Sequence, residues 1–301
     1  MRIGIDLGGS HIGVGLIYKD KIMALREKDF SEEDRTNIRK TIIDYSVSMI
    51  KDILKKEMMS LKDIDLIGIS SPGLISKKAI VKASNLSIED FMIVEELEEK
   101  LKVKVVIHND AKCAGLAEFK YGSLKGYKDC LFLCLGTGIG GAAFMNGKLM
   151  EPDKFAGFEF GHMIIEKGGR PCSCGKKGCF ETYGSMNALK KRVTAILGKK
   201  SNMSGQDFKE ALLKSDNPLI ELEIESWLNS IKIGIGNLID IFEPEAICFG
   251  GSFAYYEGTP IWDRLLIKLH EQDLTFTSSK KPDYLTAKFQ NNAGIIGATI
   301  I

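Results

Sequence analysis

CLFLCLGTGIGGAAFMNG, residues 130–147, is an apolar run, a glycine loop, a second short apolar run and an Asn-Gly pair. The run 130–135 is predicted as a buried strand. Residues 142–145 are predicted as a second strand, and Asn146-Gly147 is the strongest short hairpin signal a sequence carries. The opening of the chain has the same grammar. RIGI (2–5) reads as a strand, Asp6-Leu7-Gly8-Gly9 as a turn, and IGVGLIY (12–18) as a second strand that Lys19-Asp20 turns into a third over 21–25. At an offset of 128, Leu7 falls on Leu135, Gly8 on Gly136 and Gly13 on Gly141. Each half therefore begins with strand, glycine loop, strand and tight turn, which points to a duplicated α/β unit.

Outward from these hairpins, Ile38, Ile42, Tyr45, Met49 and Ile53 recur at helical spacing and predict a helix over 37–57. IDLIGI (64–69) is predicted as a strand stopping at Ser70-Ser71-Pro72-Gly73, and VKVVI (103–107) as a strand stopping at His108-Asn109-Asp110. A helix is expected over 111–121. Later helices are expected over 186–197, ended by Gly198, and over 218–241, with Pro218 in the first turn. AICF (246–249) is predicted as a strand stopping at Gly250-Gly251, and the small apolar tail 292–300 as helical.

The chain has 301 residues, 44% hydrophobic and 27% charged, with a formal net charge of +1. Those totals fit two ordinary globular domains and give no hint of a nucleic-acid surface. No apolar run approaches the roughly 20 residues of a membrane helix, and the opening has no apolar signal-peptide region. A cytoplasmic setting with reduced thiols is expected, with no membrane and no nucleic-acid partner. Of seven cysteines, Cys113, Cys130, Cys134 and Cys248 read as small buried hydrophobes.

The other three, Cys172, Cys174 and Cys179, lie within eight residues and follow His162. One imidazole and three thiolates make a full tetrahedral set for Zn²⁺, with no position left for water, so a metal here is expected to be structural. Gly168, Gly169, Gly175 and Gly178 would let the backbone wrap an ion, and Lys176 and Lys177 would offset thiolate charge.

The two glycine loops admit two readings each. Asp6-Leu7-Gly8-Gly9-Ser10 is either an ordinary hairpin turn or a phosphate cradle, with Asp6 placed to hold Mg²⁺ through water. Gly136–Gly141 matches GxGxxG, but a dinucleotide fingerprint needs a helix at the loop and an acidic residue about 20 positions on. A strand follows instead, so a hairpin phosphate loop paired with the first fits better. Asp110, at the end of a strand and the start of a helix, is either an N-cap or a base that takes the proton of an attacking hydroxyl. Asn109 could bond a neighbouring hydroxyl. Glu159 and Glu181 are either solvated surface or clamps for vicinal hydroxyls, fixed by the metal loop beside them.

DLGGS (6–10), SSPG (70–73), HNDAKCAG (108–115), LGTGIGG (135–141), EFGH (159–162), CSCGKKGCFE (172–181) and EPEAICFGGS (243–252) together resemble the ROK family (repressors, open reading frames and sugar kinases), within the actin-like ATPase superfamily. The resemblance covers essentially the whole chain. It implies two ribonuclease-H-like α/β domains with a cleft that closes on a sugar: 1–116 with 288–301, and 117–287. It implies an ATP- and Mg²⁺-dependent hexose kinase, with structural Zn²⁺, acting as a homodimer on a small sugar. Asp110 would be the catalytic base. Asn109, Glu159, His162 and Glu181 would touch the sugar, with Asn85 and the turn at Gly73 as further contacts. Gly8, Gly9 and Ser10, and Gly136, Thr137 and Gly138, would be phosphate loops, and Gly250-Gly251 an adenosine turn. Glucose phosphorylated at the 6-hydroxyl is the first expectation; N-acetylmannosamine, N-acetylglucosamine, fructose and allose are alternatives. The family's repressors carry a helix-turn-helix ahead of the first glycine loop, and only five residues precede Asp6 here. Three positions depart from the family pattern: Ser10 for Thr, Lys112 for Asn, and Phe158 where Gly is usual.

Overall fold

The computed structural model describes residues 1–151, 157–199, 203–271, 275–276 and 281–300. They form two compact units: Met1–Gly126 with Leu149–Phe158 and Lys288–Ile301, and Tyr127–Lys148 with Glu159–Ala287. The first unit thus runs ten residues beyond the expected boundary at 116 and keeps the helix Asp110–Tyr121 whole.

The main sheet of the first unit uses β1 (Arg2–Leu7), β2 (His11–Tyr18), β3 (Lys21–Asp29), β4 (Leu66–Ser71) and, after a small antiparallel sheet of β5 (Leu74–Ile75), β6 (Ile80–Ala83) and β7 (Ile88–Phe91), β8 (Val105–Asn109). Its order is β3-β2-β1-β4-β8, with β1, β4 and β8 parallel and the β1-β2-β3 meander antiparallel. The second unit repeats the plan with β9 (Cys130–Leu135), β10 (Ile139–Met145), β11 (Lys148–Leu149), β12 (Ala246–Gly250) and β13 (Asp283–Thr286), in the order β11-β10-β9-β12-β13. β1 and β9 start and stop at the same offset of 128 that relates the glycines. Each sheet is the ribonuclease-H-like arrangement of the actin-like ATPase fold.

Helices cover both faces of the first sheet, so β2 is buried over Ile12–Ile17 without alternation. One face receives Ile42, Ile50 and Ile53 of the helix Ile38–Lys56. The other receives the short helix Ala293–Gly297 beside the helix Asp110–Tyr121. That second contact rests on a row of missing side chains. Gly15, Gly4 and Gly68 are register neighbours across β2, β1 and β4. A Cβ on Gly4 would lie 2.1 Å from the Ile295 carbonyl oxygen, and one on Gly68 only 1.7 Å from that of Ala298. The chain's last turn lies directly on the sheet backbone, which is why residues from 288 onward belong to the first unit.

Two strand boundaries and the burial of one cysteine differ from expectation. Ser70 and Ser71 belong to β4, not to the turn, and are fully buried; the Ser70 hydroxyl donates to the Asp6 carboxylate at 2.5 Å, which satisfies it there. β10 begins at Ile139, so the second glycine loop spans only 136–138. Cys134 is half-buried, whereas Cys113, Cys130 and Cys248 are buried as expected. No helix among the described residues is long and apolar enough to cross a membrane.

Gly68→Ala should destabilise the fold by roughly 3 kcal/mol, the upper range for forced overpacking, because the atom it meets is backbone and cannot rotate away. Urea unfolding checks this, with Gly126→Ala unsuitable as a control because Gly126 has a φ of +101°.

Candidate functional site

In the first unit, Asn109 is the N-cap of the helix Asp110–Tyr121. Its side-chain oxygen accepts from Ala111 N at 3.0 Å, and its amide group donates to the Gly73 carbonyl at 3.2 Å. The capping alternative for Asp110 therefore falls to Asn109. Asp110 is the first helical residue, solvent-exposed, with one carboxylate oxygen 2.8 Å from Ala111 N. Gly73 holds a φ of +94°, and a Cβ there would meet the Lys82 carbonyl oxygen at 2.2 Å, so the turn that receives Asn109 needs glycine.

The first glycine loop is closed by Gly8 N donating to the His11 carbonyl at 2.9 Å. Gly9 lies against Asn85, where a Cβ would stand 3.2 Å from the Asn85 Cβ. Asp6, at the base of the loop, is largely buried. Burial raises its carboxyl above the ordinary value, with the Ser70 hydroxyl and nearby His11 acting against that. A buried carboxylate with one hydroxyl donor is a fitting outer ligand for a hydrated cation.

In the second unit, His162, Cys172, Cys174 and Cys179 converge, with their ligand atoms all within 4.8 Å of one another. Cys174 Sγ and Cys179 Sγ are 3.6 Å apart, as are Cys172 Sγ and His162 Nδ1. A zinc–sulfur bond of about 2.3 Å gives a tetrahedron edge of about 3.8 Å, so the donor set fits that ion. Burial pushes the Cys179 thiol up to about 12, while the Lys176 backbone N–H lowers that of Cys174. A bound cation would offset the negative charge of the thiolate and so favour it over the buried neutral thiol. The Lys176 ammonium donates to the His162 carbonyl at 2.8 Å. Gly178, at φ +84°, would put a Cβ 1.7 Å from the Glu166 carbonyl oxygen, so the loop doubles back there only with glycine. Arg170 locks the back of the loop, its guanidinium over the Tyr183 ring at 4.4 Å and its N–H donating to the Tyr183 hydroxyl at 2.7 Å.

Glu159 is exposed, and its carbonyl accepts from His162 N at 2.9 Å. Glu181 does more than the sequence suggests: its Oε2 accepts from Ile139 N, at the end of the second glycine loop, at 3.0 Å. Gly136 N donates to the Gly138 carbonyl at 3.0 Å, and Asn187 N donates to that of Gly136 at 3.1 Å. Gly251, at φ +70°, would bring a Cβ 2.8 Å from the Leu135 carbonyl oxygen, so the Gly250-Gly251 turn lies on the end of β9. Next to these two turns is a cavity of about 550 Å³, reached by Gly136, Thr137 and Ser252 and walled by Lys190, Phe208 and Tyr255 among others. Lys209, also on the wall, donates to the Tyr255 carbonyl at 2.8 Å. Sequence reasoning missed these wall residues; three separate segments supply them, and no local pattern marks them.

The sequence pattern of the ROK family matches residues 2–301. The chain belongs to the ROK family. It is 28% identical to a glucokinase of Halalkalibacterium halodurans, over 98% of this chain and 92% of that one. It is 30% identical to a xylose repressor of Bacillus spizizenii, over 83% of this chain but only 64% of the repressor. The ROK hexokinase structure from Thermus thermophilus superposes with a TM-score of 0.82 at 24% identity, covering 99% of this chain and 96% of that chain, which speaks for the fold.

Phe158, where the ROK pattern usually has Gly, holds a φ of +57° directly after Gly157 at +44°. A left-handed backbone costs a residue with a Cβ roughly 1–2 kcal/mol. Phe158→Gly and Phe158→Ala both remove the ring, but only glycine removes the strain. Phe158→Gly should be the more stable of the two variants by about 1 kcal/mol in denaturant unfolding.

Proposed function

We propose that the protein is an ATP-dependent sugar kinase of the hexose phosphotransferase type, with glucose and its 6-hydroxyl as the first substrate to test. The observation that carries the reading is the division of labour at residues 109 and 110. Asn109 caps the helix and reaches the Gly73 turn, and the Asp110 carboxylate stands exposed at the strand end with one oxygen toward Ala111 N. Family membership, a glycine hairpin loop in each unit and the cavity beside Gly136 and Thr137 support the same reading.

In this reading Asp110 accepts the proton of the sugar hydroxyl as its oxygen bonds to the γ-phosphorus. The bond from phosphorus to the β-phosphate oxygen breaks, and ADP leaves with that electron pair. Asn109, Asn85 and the Gly73 turn would contact the sugar, as would Glu159, His162 and the second carboxylate oxygen of Glu181. Backbone N–H groups of Gly9 and Ser10 and of Thr137 and Gly138 hold phosphate oxygens, those of Gly8 and Gly136 closing the two loops, and Gly250-Gly251 borders the adenosine. Mg²⁺ near Asp6 would neutralise phosphate charge, and Zn²⁺ on His162, Cys172, Cys174 and Cys179 would fix the loop that bears Glu181. A cytoplasmic homodimer completes the proposal.

An ADP-release assay across glucose, N-acetylmannosamine, N-acetylglucosamine, fructose and allose identifies the sugar. Asp110→Ala should cut turnover on that sugar roughly 10²- to 10⁴-fold, the usual worth of a general base, with sugar binding largely kept. Retained turnover would remove Asp110 from the role. A second reading, a sugar-responsive regulator, draws on the xylose repressor relative; no turnover on any sugar together with a specific gel shift would favour it.

Metal analysis of the purified chain should find about one zinc per chain, and Cys174→Ala should lose it. A chain free of zinc, with activity indifferent to that substitution, would strike the metal from the proposal.

A further inference from the structure

The metal loop reaches the second glycine loop through one side chain. Glu181 follows the ligand Cys179 by two residues and opens the short helix Glu181–Gly184. Its Oε2 accepts from Ile139 N at 3.0 Å, 42 residues away in sequence, so this is no local cap. The carboxylate also fills the space that Gly138 leaves: a Cβ on Gly138 would lie 2.2 Å from Glu181 Oε2. From the far end of the same segment, Asn187 N donates to the Gly136 carbonyl at 3.1 Å. The stretch 181–187 thus grips the loop 136–139 at both ends. Glu181 Oε1 accepts no hydrogen bond among the described residues.

We infer that Glu181 is a positioning residue for the loop Gly136–Ile139, and that occupancy of the metal set His162, Cys172, Cys174 and Cys179 governs that loop's affinity for the donor's phosphates. The inference rests on the kinase reading for the identity of the ligand but not for the mechanical link. Cys179 is buried and fixes the start of the Glu181 turn; Phe180, also fully buried, donates its N–H to the Met163 carbonyl at 2.8 Å, beside His162. With the four ligands tied to one ion, Glu181 has one place to stand. With the ion gone, the turn that aims its carboxylate is released, and the Ile139 N–H loses its acceptor.

The carboxylate carries negative charge toward a loop assigned to phosphates, and this separates the possible roles. Glutamine retains an oxygen that can accept from Ile139 N and removes the charge. Alanine removes both. The test uses the zinc-loaded chain, its Glu181→Gln and Glu181→Ala variants, and the unsubstituted chain stripped of metal by a chelator. Two readouts are taken: amide hydrogen exchange at Ile139, and calorimetric affinity for a non-hydrolysable ATP analogue. Glu181→Ala and metal removal should each speed exchange at Ile139 about tenfold, the worth of one hydrogen bond, while Leu131 and Leu133 inside β9 keep their protection. Both should weaken analogue binding by a similar factor, and Glu181→Gln should bind as well as the unsubstituted chain or better. If both variants bind the analogue more tightly, Glu181 acts by charge alone and the inference falls. It falls equally if exchange at Ile139 is unchanged in the alanine variant, or if metal removal leaves exchange and affinity as they were. Should the alanine variant fail to fold, the glutamine variant and the stripped chain decide the matter. An unsubstituted chain that binds no analogue would overturn the kinase reading, and the exchange measurement would still decide the mechanical link.

Discussion

Close approach of backbone to backbone is the constraint on which the rest of this protein depends. Across β2, β1 and β4 the row Gly15-Gly4-Gly68 leaves no side chains, and the last helical turn of the chain fills the space. The same economy recurs at the far side of that turn, where a Cβ on Gly297 would lie 1.6 Å from the Cys113 carbonyl oxygen. Cys113 belongs to the helix that Asp110 begins. The C-terminal turn is therefore wedged between the sheet and the helix that presents the candidate base, with no side-chain layer to absorb error. Positions that permit so little relaxation transmit displacement instead of damping it.

The second unit uses the same sheet but fills it differently. Gly141, the counterpart of Gly13 in the repeat, faces the Phe160 ring, where a Cβ would stand 2.4 Å from it. Phe160 begins the turn that ends at the ligand His162. Where Gly13 of the first unit faces the Ile295 side chain, Gly141 faces an aromatic ring next to the candidate metal loop. Duplicated sheets thus give two hairpin glycine loops that differ by one residue in register, since Leu7 pairs with Ile12 but Leu135 with Ile139. The first loop is backed by a buried carboxylate, Asp6; the second is gripped by Glu181 and Asn187.

Much of this was legible in the sequence because the signals are local. Strand, glycine loop, strand and Asn-Gly turn lie within 18 residues, and the offset of 128 holds residue by residue for β1 and β9. The four candidate metal ligands are also close in sequence, and backbone bonds such as Gly178 N to the Arg170 carbonyl bring them together. Less local features were missed. The sheet of β5, β6 and β7 has strands of two to four residues, too short for any period to show. Ser70 and Ser71 look like turn residues because serine usually bonds its own backbone; a carboxylate 64 residues away makes Ser70 a strand residue instead. The cavity wall at Lys190, Phe208 and Tyr255 could not be assembled from sequence at all. Phe158 is an intermediate case. The sequence marks it as a departure from the resemblance, but the positive φ it shares with Gly157 is seen only in the structure.

That strained residue also shows where the chain tolerates cost. Phe158 is the last residue of the first unit before the chain passes to Glu159 in the second. A backbone held in the left-handed region by a residue with a Cβ persists only where its surroundings over-determine it. Two successive positive φ values, at Gly157 and Phe158, reverse the chain immediately before Glu159, and the next turn is pinned by His162 N on the Glu159 carbonyl. The direction from which Glu159 enters its unit is thus set on one side by strained backbone and on the other by a metal-ligand turn. A glycine at 158 would relax the first of these while leaving the second. The exposed Glu159 carboxylate makes no side-chain hydrogen bond among the described residues, so its position follows from its backbone and hence from the turn at Phe158.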